Sequence, residues 1–111
     1  MGTMLTKKNW SLSPRRALTP PEVVSQLASA PGWQLTGDGA AVAIEKTYTF
    51  ANYYETMSFV NAIAFIANAQ DHHPDLSVHY GSCMVRWNTH DVQGLSATDF
   101  ECASLVDALL A

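Results

Sequence analysis

Three of the four histidines lie where structural elements should end. His72 and His73 sit in Asp71-His72-His73-Pro74-Asp75, and His90 follows Trp87-Asn88-Thr89. An imidazole titrates near neutrality and can donate or accept a proton there, so imidazoles brought together suit general acid–base work. Pro74 disfavours helical backbone at His73, which fixes a helix end nearby and holds the pair in place. Adjacent side chains on an extended segment point in opposite directions, so His72 and His73 should do different jobs. The neighbouring carboxylates Asp71, Asp75 and Asp91 are suited to orienting an imidazole or raising its pKa. The blander alternative makes His72 and His73 helix-terminal cations favoured by the helix dipole. A metal site from His72, His73 and His90 with Asp71 or Asp91 has suitable ligand types but no recognisable ligand spacing, so no metal is expected. His79 falls in mid-strand on the polar parity and should face solvent or an interface.

The elements that would position these groups are readable. Thr19-Pro20-Pro21-Glu22 is a helix-start signature, Val23, Val24 and Leu27 give that helix an apolar face, and Pro31-Gly32 ends it. Trp33 and Leu35, then Val42 and Ile44, flank the turn-rich Gly37-Asp38-Gly39, and strand propensity continues through Thr47-Tyr48-Thr49-Phe50, which predicts a hairpin. From Asn52 to about Gln70 no Gly or Pro interrupts a helix with Tyr53, Met57, Val60, Ala64 and Ala67 on one row. A second row, Phe59, Ile63 and Ile66, exceeds what one sheet contact needs and predicts a contact with another subunit. Leu76, Val78 and Tyr80 alternate with polar residues, Gly81-Ser82 turns the chain, and Cys83, Val85 and Trp87 alternate in turn, a second hairpin with Tyr80 and Trp87 on its apolar face. Ser96 and Asp99 form a capping-box-like pair before a last amphipathic helix. The order α-β-β-α-β-β-α predicts an α+β fold, a four-stranded antiparallel sheet with three helices on one face. Pairing of the second hairpin brings Pro74 and His90 to one edge, so the three imidazoles should line one cleft.

Composition narrows the classes. The 111 residues suit one domain, read as 19–111 preceded by a mobile arm of residues 1–18 without assigned chemistry. Four of the six Lys and Arg precede residue 17, leaving Lys46 and Arg86 against all ten acidic residues, a balance that would repel nucleic acid. Cys83 and Cys102 lack the close pairing of redox or zinc motifs and read as buried free thiols. No secretory signal is visible, and no apolar stretch approaches the roughly 20 residues of a membrane span, so a soluble cytoplasmic protein is expected.

The pattern Asp71-His72-His73-Pro74-Asp75, Val78, Tyr80-Gly81, Trp87, Thr89-His90-Asp91, Gly94-Leu95-Ser96 and Asp99 resembles the signature of the pterin-4a-carbinolamine dehydratases over about residues 19–110. The upstream Glu45-Lys46-Thr47-Tyr48-Thr49-Phe50 fits it as well. The resemblance implies the same α+β fold, a homodimer or homotetramer, no metal and no bound cofactor, since the pterin is the substrate. It implies dehydration of 4a-hydroxytetrahydropterin to quinonoid dihydropterin, recycling the cofactor of an aromatic amino-acid hydroxylase. The family's active-site histidines fall on His72, His73 and His90. By resemblance His72 and His90 transfer protons and His73 holds the pterin, with Asp71, Pro74, Asn88, Thr89 and Asp91 in the binding wall. Two departures stand out: Asn68 where many relatives carry glutamate, and Leu76 where the animal members carry tryptophan. The competing reading is a non-catalytic dimerisation or binding module of the same fold.

Overall fold

The computed structural model describes residues 7, 8 and 14–111. Thr19 caps helix α1, Pro20–Ala28, in a reciprocal pair with Glu22, as its Thr-Pro-Pro-Glu start requires. Strands β1, Gln34–Thr36, and β2, Ala43–Thr49, form the first hairpin. Gly37 sits at φ +72 in the loop, where a Cβ would fall 2.4 Å from the Ala41 carbonyl oxygen, so only glycine fits. Asn52 caps helix α2, Tyr53–Gln70, by accepting from the Glu55 N–H. Strands β3, Asp75–His79, and β4, Ser82–Trp87, make the second hairpin, and helix α3, Ala97–Ala108, completes the order.

The two hairpins join through β2 and β4, giving an antiparallel sheet in the order β1-β2-β4-β3. Register explains the two faces. Ile44 lies opposite Trp87 and Tyr48 opposite Cys83, and these four, with Val85, are buried beneath the helices. Glu45 lies opposite Arg86 and Thr49 opposite Ser82 on the other face, a polar alternation suited to a sheet covered on one side. Phe59 and Ile63 of α2, and Phe100, Ala103 and Val106 of α3, close the core, with Leu18, Val23 and Leu27 packed against it.

The structure differs from four expectations. Phe59 and Ile63 face the sheet and are buried, while Tyr53 and Ala64 of the other row are exposed, so the row assigned to another subunit is core. The turn of the second hairpin is Tyr80-Gly81, because His79 pairs with Ser82. Tyr80 is accordingly 69% exposed at the end of an edge strand, not core; Trp87 on the central β4 is core. The segment read as an arm is not wholly outside the packed unit: Ala17 bridges Ser96, and the Leu18 N–H donates to the Leu95 carbonyl at 2.8 Å.

Cys83 and Cys102 are buried free thiols, and burial first, then nearby Asp99, pushes Cys102 up to about 12. On the far side of the core Asp107 accepts from Lys46 at 2.8 Å, from the Trp33 indole at 3.1 Å and from the Tyr48 hydroxyl, tying α3 to β2 and the β1 approach.

Candidate active site

Helix α2 ends in a way that aims His72 inward. Asp71 adopts the left-handed conformation at φ 49, its N–H returns to Asn68 at 3.2 Å, and the His72 N–H returns to Ala67 at 3.0 Å. This paired closure is the Schellman arrangement, with Asp71 where glycine is commoner. His72 then lies only 6% exposed, its ring stacked on Trp87 with centroids 5.4 Å apart and planes at 21°. Its Nε2 meets Asp99 Oδ1 at 2.6 Å.

Asp99 is the hub behind that ring. It is 0% exposed, and its other oxygen, Oδ2, accepts from the Thr89 hydroxyl at 2.6 Å and from the Ser96 N–H at 2.9 Å. Thr89 Oγ1 also lies 2.6 Å from Ser96 Oγ; with the Thr89 hydrogen directed to Asp99, Ser96 is the donor in that bond. A carboxylate only accepts, so Nε2 of His72 carries a hydrogen whichever charge state the ring takes. In the neutral ring, Nδ1 is therefore the acceptor.

His90 arrives from the other strand of the same hairpin. Beyond β4, Thr89 and Gly94 pair across a short loop whose 3₁₀ turn spans His90–Val92, closed by Gln93 at φ 53. That loop, the end of α2 and the N-terminal segment surround one cavity of about 390 Å³, lined by Arg15, Asp71, His72, His73, Asn88, His90 and Asp91. His73 and His90 are exposed there, in contrast to the buried His72.

The residues named from sequence thus separate into two sets. Asp71, His72, His73, Asn88, His90 and Asp91 share the cavity; Pro74 and Thr89 are not among its lining residues. Thr89 is fully buried, so its hydroxyl serves Asp99 behind the wall instead of the cavity. Asn88 directs its amide to the Val42 carbonyl at 2.5 Å, holding the end of β4 to the β1–β2 loop. His79 is exposed on β3, its Nε2 3.1 Å from Ser77 Oγ, outside the cavity. Two members escaped the sequence reading. Asp99 was legible as a helix cap and as part of the family signature but not as the partner of His72, and Arg15 lies in a segment without periodicity. Among the described residues no group of three His, Cys, Asp or Glu is arranged to hold a metal ion.

The model of the family described as pterin 4 alpha carbinolamine dehydratase matches residues 16–109. The chain belongs to that family. A Paracidovorax citrulli protein that carries the name pterin-4-alpha-carbinolamine dehydratase provisionally is 73% identical over 109 residues, covering 98% of this chain and 94% of its own length. A Chromobacterium violaceum protein with the same provisional name is 48% identical over 102 residues, 89% of this chain and 91% of its own. The crystal structure of a transcriptional coactivator/pterin dehydratase from Brucella melitensis superposes with a TM-score of 0.80 at 26% identity, over 86% of this chain and 100% of that one. A pterin dehydratase-like protein identified as a RuBisCO assembly factor in the alpha-carboxysome shares the fold, with a TM-score of 0.60 at 20% identity over 70% of this chain and 88% of that one.

Proposed function

We propose that this member of the dehydratase family converts 4a-hydroxytetrahydropterin to quinonoid dihydropterin and water by histidine acid–base catalysis. The observation that carries the reading is the single cavity lined by His72, His73 and His90, with His72 held from behind by Asp99. A base takes the proton from N5, its electron pair forms the C4a=N5 bond, and the C4a–O bond breaks. A protonated imidazole supplies the hydrogen that turns the departing hydroxide into water. Acid and base then exchange protons with solvent, and nothing else is consumed.

Within this proposal His72 and His90 move protons, and His73 positions the pterin alongside Asp71, Asn88 and Asp91. Each acid–base contribution is worth about 10²- to 10⁴-fold. His72 suits the base role because its acceptor is Nδ1 while Asp99 holds the opposite nitrogen. The exposed His90 suits the acid, since it exchanges with water freely. No bound cofactor is required, and the product would re-enter the cycle of a pterin-dependent hydroxylase in the cytoplasm.

A homodimer or homotetramer belongs to the same proposal, supported by the family and by the exposed Tyr54 and Phe65 on α2. Sedimentation tests it: a monomer at micromolar concentration refutes it. The decisive assay for the reaction generates the 4a-carbinolamine with a phenylalanine hydroxylase and follows quinonoid dihydropterin with and without this protein. Acceleration supports the proposal; an unchanged rate with folded protein leaves the non-catalytic binding module instead.

A further inference from the structure

The geometry points to Arg15 as a positioning residue that straps the loop bearing His72 and His73 to the loop bearing His90; its kinetic part rests on the proposed dehydration. Helix α2 has no basic residue in its last turn, although the last carbonyls of a helix lack intrahelical donors and carry the negative end of its dipole. Arg15, 55 residues away in the chain, supplies both missing elements. Its Nη2 donates to the Gln70 carbonyl at 3.1 Å and to the Asp71 carbonyl at 2.7 Å. Its Nη1 lies 3.8 Å from Asp91 Oδ2, on the residue after His90.

The guanidinium is held firmly. The Arg15 side chain is only 8% exposed, although it lines the cavity, and the chain just after it is pinned by the Ala17–Ser96 bridge and the Leu18–Leu95 hydrogen bond. The two limbs differ in strength. The carbonyl limb is charge-assisted, with its Gln70 bond half-buried, whereas Asp91 is 80% exposed and its longer limb is screened by salt. Lys7 reaches Asp71 at 3.6 Å and the Lys8 N–H donates to Ala69 at 3.0 Å, so both meet the same helix end as Arg15, while the Lys8 ammonium goes to Glu101 and Arg16 to Glu22. Two of the four cations ahead of the acidic body, Lys7 and Arg15, thereby have a structural use: both offset the negative end of α2, and Arg15 sets the spacing of the histidines.

The test compares Arg15→Ala and Arg15→Lys with Arg16→Ala. Arg16 pairs with Glu22 on the surface and leaves the cavity untouched, so its removal should leave turnover unchanged. Misplacing one catalytic group by about an ångström can cost up to about a hundredfold, so Arg15→Ala should lower kcat ten- to a hundredfold while the folded fraction stays constant. Amide exchange at residues 70–73 and 89–92 should accelerate together in the same variant. Lysine keeps the charge but not the two-pronged fork, so Arg15→Lys should restore protection at 70–73 and leave kcat reduced. Wild-type kcat in Arg15→Ala, or a loss that only follows the unfolded fraction, overturns the strap. If that variant does not fold, wild-type kcat in Arg15→Lys overturns it and a reduced kcat supports it. If the wild-type protein itself shows no turnover, the dehydratase reading fails, and exchange alone decides. Acceleration at both loops in Arg15→Ala supports the strap, and unchanged exchange removes it.

Discussion

Replacing Asp99 by asparagine keeps the shape of the hub and changes its donors, which makes it the sharpest probe of how His72 is used. The side chain is fully buried and accepts three hydrogen bonds, from His72, Thr89 and the Ser96 N–H. The Ser96 N–H can only donate, so in Asp99→Asn the new amide oxygen must face Ser96 and Thr89, and the new NH₂ must face His72. Nε2 of a neutral His72 is then forced to accept, and the ring hydrogen moves to Nδ1, where the base is needed. The stability change is modest. Each bond to a charged acceptor is worth about 1.5–3 kcal/mol and each neutral one about 0.5–1.5, so three conversions cost about 3 kcal/mol. Relief of the desolvation of a buried carboxylate offsets part of this, leaving a net loss of about 1–2 kcal/mol and a fall in Tm of several degrees. The catalytic loss should be larger, about a hundredfold or more in kcat, because one acid–base group carries the wrong tautomer. Carbinolamine turnover measures the rate, and ¹⁵N shifts of the His72 ring report which nitrogen holds the hydrogen. A variant that keeps kcat within about threefold of wild type, or a His72 still protonated at Nε2, would refute the reasoning.

The division among the histidines gives a second test: His73→Ala should chiefly raise KM, whereas His72→Ala and His90→Ala should chiefly lower kcat, and a double His72/His90 variant with near-normal turnover excludes the assignment. Chelator dialysis should leave turnover unchanged, since the proposed reaction uses two imidazoles as acid and base; a loss restored by zinc would reverse that view. Burial alone would raise the Asp107 pKa, but hydrogen bonds from Lys46, Tyr48 and Trp33 outweigh it and hold the carboxyl below its ordinary range. The contribution of Asp107 is therefore complete above the unfolded carboxylate pKa of about 3.9 and fades as pH falls through the lower folded value. Asp107→Asn should cost about 1–2 kcal/mol near neutrality, and the gap from wild type in denaturant titrations should close toward pH 3; a gap independent of pH refutes the linkage.

What the sequence disclosed was local. Thr19 with Glu22 and Ser96 with Asp99 each mark a helix start within four residues, because capping chemistry depends only on neighbours in the chain. The buried face of α2 was not local in that sense. Two apolar rows share the helical period, and only the sheet decides between them. Phe59 and Ile63 pack in the core with Tyr48 and Val85, whereas Tyr53 stays exposed. Tyr80 shows the same limit, since its alternation with His79 is genuine and only its position at an edge-strand turn exposes it. The three histidines could be placed near one another from the pairing of β3 with β4, but Arg15 could not. Its two hydrogen-bond partners at the α2 end are backbone carbonyls, which leave no mark on the side-chain pattern, and its third partner, Asp91, is one of ten acidic residues.

Asp99 explains why the start of α3 and the cavity are one construction. As the third residue of α3 it accepts from the Ser96 N–H, satisfying a donor that the helix itself leaves open. The same carboxylate reaches across to His72, so the position of the imidazole is referred to the end of a packed helix and not to a loop. Thr89, one residue before His90, donates to the other oxygen of that carboxylate. The buried His72 and the loop bearing His90 are therefore registered against a common atom group, while Trp87 fixes the plane of the His72 ring. A site made from two short loops would ordinarily be loose; this hub, together with Arg15, holds the imidazoles in the fixed geometry that the proposed acid–base chemistry needs. Functional precision is thus drawn from a cap that α3 requires in any case.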